Sequence, residues 1–155
     1  MKRIFSISII CLIMDQLFKY IVVSTIELYH GITIIPNFFS IFHIRNTGAA
    51  WSILEGNRIL LILLSIFALL VIYIFFIRKK ELDKFEMVCY GILVGGILGN
   101  LWDRIIFGYV VDYLKFDIFN YHFPIFNFAD ICIVISVIIM FILLLRGEKK
   151  DDARD

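Results

Sequence analysis

The sequence predicts a mainly α-helical integral membrane protein, a bundle of four transmembrane helices with a small extracytoplasmic β-sheet segment. Three observations carry that expectation. The 155-residue chain is 61% hydrophobic and only 19% charged, against roughly 45–50% apolar and about 25% charged in soluble domains. Its apolar residues gather into four runs, each near the roughly 20 residues that a helix needs to cross a hydrocarbon core. Between the first two runs lies a stretch rich in β-branched and aromatic residues with turn chemistry at its middle. The length suits a single polytopic membrane domain over residues 1–155.

The first span, about 4–23, follows Lys2 and Arg3 and could be mistaken for a cleavable leader. Asp15, Gln16 and Lys19 interrupt it and no Ala-x-Ala-like site follows, so it reads as a permanent helix. An outer loop, about 24–58, then carries Ile32 to Asn37 and Phe38 to Arg45, two β-prone runs with Pro36-Asn37 between them. The second span, about 59–77, has no charge at all, and a short cytoplasmic loop, about 78–84, joins it to the third, about 85–104. Gly91, Gly95 and Gly99 repeat there every four residues, the small-xxx-small ladder that lets helices approach closely. No Gly-Lys-Ser or Gly-Lys-Thr follows, so the ladder is packing and not a phosphate loop. After a second outer loop, about 105–126, the fourth span, about 127–146, combines a polar start at Asn127 and Asp130 with the apolar run Ile131 to Leu145. The charged tail Glu148 to Asp155 is expected to fray.

Lys and Arg bias sets the orientation. Lys2 and Arg3, then Arg78, Lys79, Lys80 and Lys84, then Arg146, Lys149 and Lys150 fall on one side of alternating spans, which is therefore cytoplasmic. Both termini face the cytoplasm and both long loops face outward.

Several functions find no support. No basic patch suggests nucleic acid. Cys11, Cys89 and Cys132 lie in apolar runs with no CxxC spacing and no adjacent His, so they read as buried space-fillers and no metal site is expected. His30, His43 and His122 are irregularly spaced in the outer loops and read as surface or interfacial residues. Ser6, Ser8, Ser65 and Ser136 lie within spans without a well-placed base.

Ionisable groups inside spans are costly and mark function by default. At about 1.5 Å rise per residue, Lys19 lies roughly 24 Å from Arg3, Asn100 roughly 24 Å from Lys84, and Asp130 roughly 24 Å from Arg146. Three helices thus bring polar groups to one level, near the outer edge of a core about 30 Å thick, where the loops can add Asn46, Arg104 and Asp112. Asp15 with Lys19, Asn100 with Arg104 and Asn127 with Asp130 repeat at i+4 or i+3, so each pair shares a helix face. Asp103 and Arg104 alone suit an interfacial pair, and Asp15 with Lys19 suits a supporting ion pair. On these grounds a polar enzymatic site competes with a small proton-coupled transporter and with a non-catalytic assembly factor. The clustering at one boundary and the uncharged second span leave no continuous proton path.

Short blocks in chain order carry a resemblance. Asp15-Gln16-Leu17-Phe18-Lys19 is similar to a D-Q-x-x-K block, and Asn46-Thr47-Gly48-Ala49-Ala50-Trp51 to N-x-G-A-[AS]-[FW]. Gly99-Asn100-Leu101-Trp102-Asp103-Arg104 and Val110-Val111-Asp112-Tyr113 resemble G-N-x-x-D-R and V-x-D-[FY], and Phe126-Asn127-Phe128-Ala129-Asp130 resembles F-N-x-A-D. Each block is short, but their order and placement on four helices are specific, and together they resemble the bacterial lipoprotein (type II) signal peptidases. Trp51 and Tyr113 stand where that family often has Phe, and Trp51 bears on how the loop covers the site.

The resemblance implies an aspartic endopeptidase that removes the signal peptide from diacylglyceryl-modified prolipoproteins, cutting just before the lipidated cysteine. It implies Asp112 and Asp130 as catalytic carboxylates. Asp15, Lys19, Asn46, Gly48, Asn100, Asp103, Arg104 and Asn127 are then supporting or substrate-contacting positions. The expected partners are that prolipoprotein and the membrane lipids, with the protein itself a monomer in the bacterial cytoplasmic membrane and its site near the outer leaflet. Two carboxylates sharing one proton can activate water without a metal, cofactor or covalent intermediate.

Overall fold

The computed structural model describes residues 1–49, 53–78, 81–118 and 121–151. Ala50, Trp51 and Ser52 of the second block, Lys79 and Lys80 of the loop between the second and third helices, and the last four tail residues lie outside the described residues. Four helices, α1 (Lys2–Thr25), α2 (Arg58–Ile77), α3 (Lys84–Ile106) and α4 (Phe128–Asp151), are long and apolar enough to cross a membrane. A small antiparallel sheet completes the architecture: β1 (Gly31–Ile35), β2 (Phe39–Asn46), β3 (Val110–Ile118) and β4 (Tyr121–His122), in the order β1-β2-β3-β4.

α3 is the central helix, and its glycines explain why. A Cβ on Gly91 would stand 2.7 Å from the Ile7 Cβ, on Gly95 2.6 Å from the Cys11 Cβ, and on Gly99 2.5 Å from an Asp15 carboxylate oxygen. These three seat α1 against α3. Gly96 does the same for α4, where a Cβ would meet the Ala129 carbonyl at 2.6 Å. Small residues facing both neighbours replace the hydrophobic drive that helix packing lacks in lipid. α2 packs on α3 and presents most of its side chains outward, with Ile59, Leu63, Phe67 and Phe75 all exposed. Its last turn, Ile72–Ile77, widens to a π-helix.

The ends of α3 are well defined. Asp83 caps the start, accepting from the Phe85 and Glu86 amides at 2.7 and 2.8 Å, while Glu86 accepts from the Asp83 amide at 3.0 Å, a capping box. At the other end Gly108 takes φ +86°, the left-handed conformation that closes many helices, and Arg58 donates to the Arg104 and Ile105 carbonyls at 2.7 Å each. The start of α2 thereby fastens the end of α3.

The turn at Gly108 sends the chain back as β3, which pairs with β2 so that Ile44 faces Asp112 and Asn46 faces Val110. This strand lies in what the sequence suggested was only a loop. Its residues, VVDYLKFDI, alternate faces, and the functional block at Val110 to Tyr113 is itself strand. The segment before α4 is stitched to β3 as well, with Tyr113 and Leu114 amides donating to the Phe126 carbonyl at 3.0 and 2.8 Å. β3 therefore fixes where α4 begins.

The placement of His43 is a further correction. His43 is buried, not superficial, because β2 folds it inward and its Nδ1 lies 2.8 Å from the Ile26 carbonyl at the end of α1. His30 is exposed.

Candidate active site

The first turn of α4 is where the site is assembled. A helix start leaves several amides without helical partners, and here each receives a specific acceptor. The Phe128 amide donates to the Tyr113 hydroxyl at 3.3 Å, the Ala129 amide to Asp15 Oδ1 at 3.0 Å and the Asp130 amide to Asn127 Oδ1 at 3.0 Å. In return Asp130 Oδ2 accepts from the Asn127 amide at 3.1 Å. Asn127 and Asp130 thus form the reciprocal cap of α4, with Asn and Asp in the roles usually taken by Ser/Thr and Glu. The same exchange holds the Asp130 carboxylate at the helix start.

Asp112 reaches the same place from the sheet. Its Oδ1 accepts from Asn127 Nδ2 at 2.6 Å and its Oδ2 from Asn46 Nδ2 at 2.8 Å. Asn127 Nδ2 also donates to Asn100 Oδ1 at 3.1 Å, and Asn100 Nδ2 donates to Asp130 Oδ1 at 2.7 Å. Two aspartates from different elements are therefore joined through a pair of asparagine amides. Both carboxylates, with Asn46, Asn100 and Arg104, line one cavity of about 890 Å³, whose wall also includes the polar Arg45, Thr47 and Glu55 and an apolar part with Phe126, Ile131 and Val134.

Burial is the larger reason that Asp112 is pushed up to about 7, and the Asp130 charge beside it adds to the rise; the Asn46 and Asn127 amides pull the other way by donating to the ionised form. The neighbouring Tyr113 phenol is raised too, chiefly by burial.

Behind the cavity lies a second, ionic network. Lys19 Nζ stands 2.7 Å from Asp15 Oδ2 and 3.0 Å from Asp103 Oδ2, and donates to Asn100 Oδ1 at 3.0 Å. Gln16 Nε2 donates to Asp15 at 3.1 Å and to Asp103 at 2.9 Å, and the Val111 amide donates to Asp103 Oδ2 at 3.1 Å. Asp15, Lys19 and Asp103 are all buried. Burial of three charges is tolerated only with this degree of pairing and hydrogen bonding. Asp103 does not pair with Arg104, the partner its sequence position suggested. One helix step turns the two side chains apart, so Asp103 faces Lys19 while Arg104 Nη2 donates to the Gly48 carbonyl at 3.0 Å. The Gly48 amide in turn donates to Asn46 Oδ1 at 2.9 Å, fixing the Asn46 side chain for Asp112.

The structure brings together Asp112, Asp130, Asn46, Asn100, Arg104 and Asn127 around the cavity, Gly48 through its backbone, and Asp15, Lys19 and Asp103 behind it. Gln16, Tyr113 and Arg58 join as supports to which the sequence assigned no role. Gln16 sits inside a quoted block one residue from Asp15, which was the available signal; the contacts of Tyr113 and Arg58 depend on strand and helix packing that spacing does not encode. Among the described residues no group of three or more His, Cys, Asp or Glu forms a candidate metal site.

Comparison with known proteins agrees with this architecture. Residues 7–146 match the family model described as Signal peptidase (SPase) II. The chain is 40% identical over 147 residues to a lipoprotein signal peptidase of Staphylococcus aureus, covering 94% of this chain and 90% of that one. A bacterial membrane enzyme solved by the in meso method at 2.3 Å resolution superposes with a TM-score of 0.88 at 37% identity, covering 97% of this chain and 92% of that one. A second, at 1.9 Å resolution, gives a TM-score of 0.83 at 38% identity and covers 94% of each chain. Matched along nearly its whole length by both family model and relative, the chain belongs to the signal peptidase II family and is an aspartic peptidase of bacterial membranes.

Proposed function

We propose that the protein cleaves diacylglyceryl-modified prolipoproteins just before the lipidated cysteine, with Asp112 and Asp130 as a water-activating dyad. The observation that carries this reading is the meeting of two carboxylates from β3 and α4 in one cavity, linked through Asn127 and Asn100. Two close carboxylates do not readily both ionise, and the pair titrates as a unit. Asp112, pushed up to about 7, holds the shared proton near neutral pH, which leaves Asp130 as the base. Asp130 takes a proton from water as its oxygen attacks the scissile carbonyl. Asp112 protonates the carbonyl oxygen, and as the tetrahedral intermediate collapses Asp130 passes the proton it took from water to the leaving nitrogen while a hydroxyl of the intermediate returns a proton to Asp112.

The amides have a matching role. Asn46, Asn127 and Asn100 donate to carboxylate oxygens, so they orient both groups without adding charge. Arg104 lines the cavity from α3 and Arg45 from β2, and both are cations available to peptide carbonyl or glyceryl ester oxygens. The apolar wall suits the acyl chains and the apolar end of a signal peptide. With the Lys- and Arg-rich loops cytoplasmic, the dyad lies at the outer hydrocarbon boundary, where water enters from outside and the lipid chains stay in the bilayer.

The test is reconstitution of the purified protein with a diacylglyceryl-modified prolipoprotein, comparing wild type with Asp112→Asn and Asp130→Asn. Each substitution is expected to lower cleavage to the background of empty vesicles while the variants remain folded. Cleavage by either variant at more than about a tenth of the wild-type rate refutes the dyad.

A further inference from the structure

α4 has two unlike faces. Ala129, Cys132 and Ser136 are buried, and Gly96 of α3 packs directly on Ala129 and Cys132. On the face that carries Asp130, Val134, Val137, Phe141 and Leu144 follow at i+4, i+7, i+11 and i+14, so they stand in one line below the carboxylate. They are 55%, 50%, 59% and 60% exposed. No charged residue interrupts the run between Asp130 and Arg146.

The upper end of this stripe is the cavity wall itself. Asp130, Ile131 and Val134 line the cavity, and Val137 and Phe141 follow Val134 by about one and two helical turns, beyond the lining. Other lipid-facing surfaces are equally apolar, for example around Ile13 of α1 and Phe67 of α2. Among the described residues, none from α1 or α2 lines that cavity, so neither surface leads to the dyad.

We propose that this stripe of α4 is the docking face for the apolar helix of the substrate's signal peptide, a proposal that rests on the dyad reading above. The distance from Asp130 to Leu144 is about 21 Å at 1.5 Å per residue, and an apolar signal-peptide segment of about 7 to 15 residues spans roughly 10 to 22 Å as a helix. A helix whose end is held at the dyad thus has its whole apolar segment beside the stripe. In hydrocarbon such an association rests on side-chain packing, for which alternating Val, Phe and Leu offer ridges and hollows.

Photoreactive benzophenone side chains placed singly at Val137, Phe141, Ile13 and Phe67 of the full-length protein test the proposal in vesicles with a diacylglyceryl-modified prolipoprotein. Cross-links to the signal peptide are expected at Val137 and Phe141, about tenfold above Ile13 and Phe67. Equal yields at all four positions, or stronger capture at Ile13 or Phe67, overturn the docking face. In parallel, the Val137→Ala, Phe141→Ala double variant is expected to raise KM for the full-length substrate about fivefold with kcat unchanged, and to leave cleavage of a short lipopeptide without the apolar segment unaltered. An equal loss on both substrates overturns it too. Wild-type cleavage in the same vesicles reports separately on the dyad, since its absence refutes that reading and not the docking face.

Discussion

Lys19→Met removes the cation that contacts two buried carboxylates. Lys19 Nζ lies 2.7 Å from Asp15 and 3.0 Å from Asp103, and its side chain is 4% exposed against 0% and 1% for those partners. Methionine keeps the length of the stem but leaves both carboxylates in a low-dielectric interior with amide donors only. Removing one partner of a buried pair costs about 3–5 kcal/mol. For a chain of 155 residues, each kcal/mol corresponds to roughly 2–4 °C in midpoint, so Lys19→Met is expected to melt about 10 °C below wild type. The assay is thermal unfolding in detergent micelles followed by far-ultraviolet circular dichroism. The control is Lys115→Met: its 3.7 Å pair with Asp117 is about a third exposed, so its loss is expected to cost under about 1 kcal/mol. Replacing the trio together, as Asp15→Asn, Lys19→Met and Asp103→Asn, is expected to recover most of the lost stability, since no uncompensated charge then remains buried. A midpoint for Lys19→Met within about 2 °C of wild type refutes the reasoning.

Two further outcomes follow from the geometry. In the proposed mechanism Asp112 acts as the acid only when protonated, and it is pushed up to about 7, so cleavage is expected to fall as pH rises through about 7. Asn46→Leu removes a hydrogen bond that favours the ionised form, so in a pH–rate profile the alkaline limb should move upward by roughly one pH unit, and a downward shift contradicts the assignment. Gly99→Ala places a Cβ 2.5 Å from Asp15 Oδ2 and 3.3 Å from the Ala129 Cβ, an overpacking worth about 1–3 kcal/mol that appears as a lower midpoint in the same melts; an unchanged midpoint means that α1 and α3 separate freely there.

The helices and the level at which their polar residues meet were legible in the sequence because a bilayer constrains both. A span must be apolar for about 20 residues, so a charge within one stands out, and constant rise converts its position into depth. Lys19, Asn100 and Asp130, placed at one level by that arithmetic, are joined by hydrogen bonds of 3.0 and 2.7 Å. Azimuth was harder to read. Asp103 and Arg104 are adjacent in sequence, yet each helix step turns a side chain by about 100°, and one faces Lys19 while the other faces Gly48. The contribution of β3 was hidden for a related reason: its pairing with β2 joins residues some 66 positions apart, as in Asn46 with Asp112, and no local period records such a contact. His43 escaped similarly, since only the pairing of β2 reveals which of its faces turns inward.

The connection between the ionic trio and the proposed catalytic pair resolves an apparent conflict in the fold. A dyad needs a proton held near neutrality, which burial provides, but burial also penalises every other charge needed to fix the site. The chain separates the two demands. Apart from Arg104 at the cavity, the full charges that hold the site from behind are Asp15, Lys19 and Asp103, where Lys19 and the amides of Ala129 and Val111 satisfy them. Neutral amides then carry position forward, from Lys19 through Asn100 to Asp130, and through Asn127 to Asp112. An Asp or Lys in place of either asparagine would orient a neighbour equally well, but it would set a charge beside the dyad and shift its shared proton. Asparagine transmits geometry and acts on the balance of the two carboxylates only through its hydrogen bonds, without a net charge of its own.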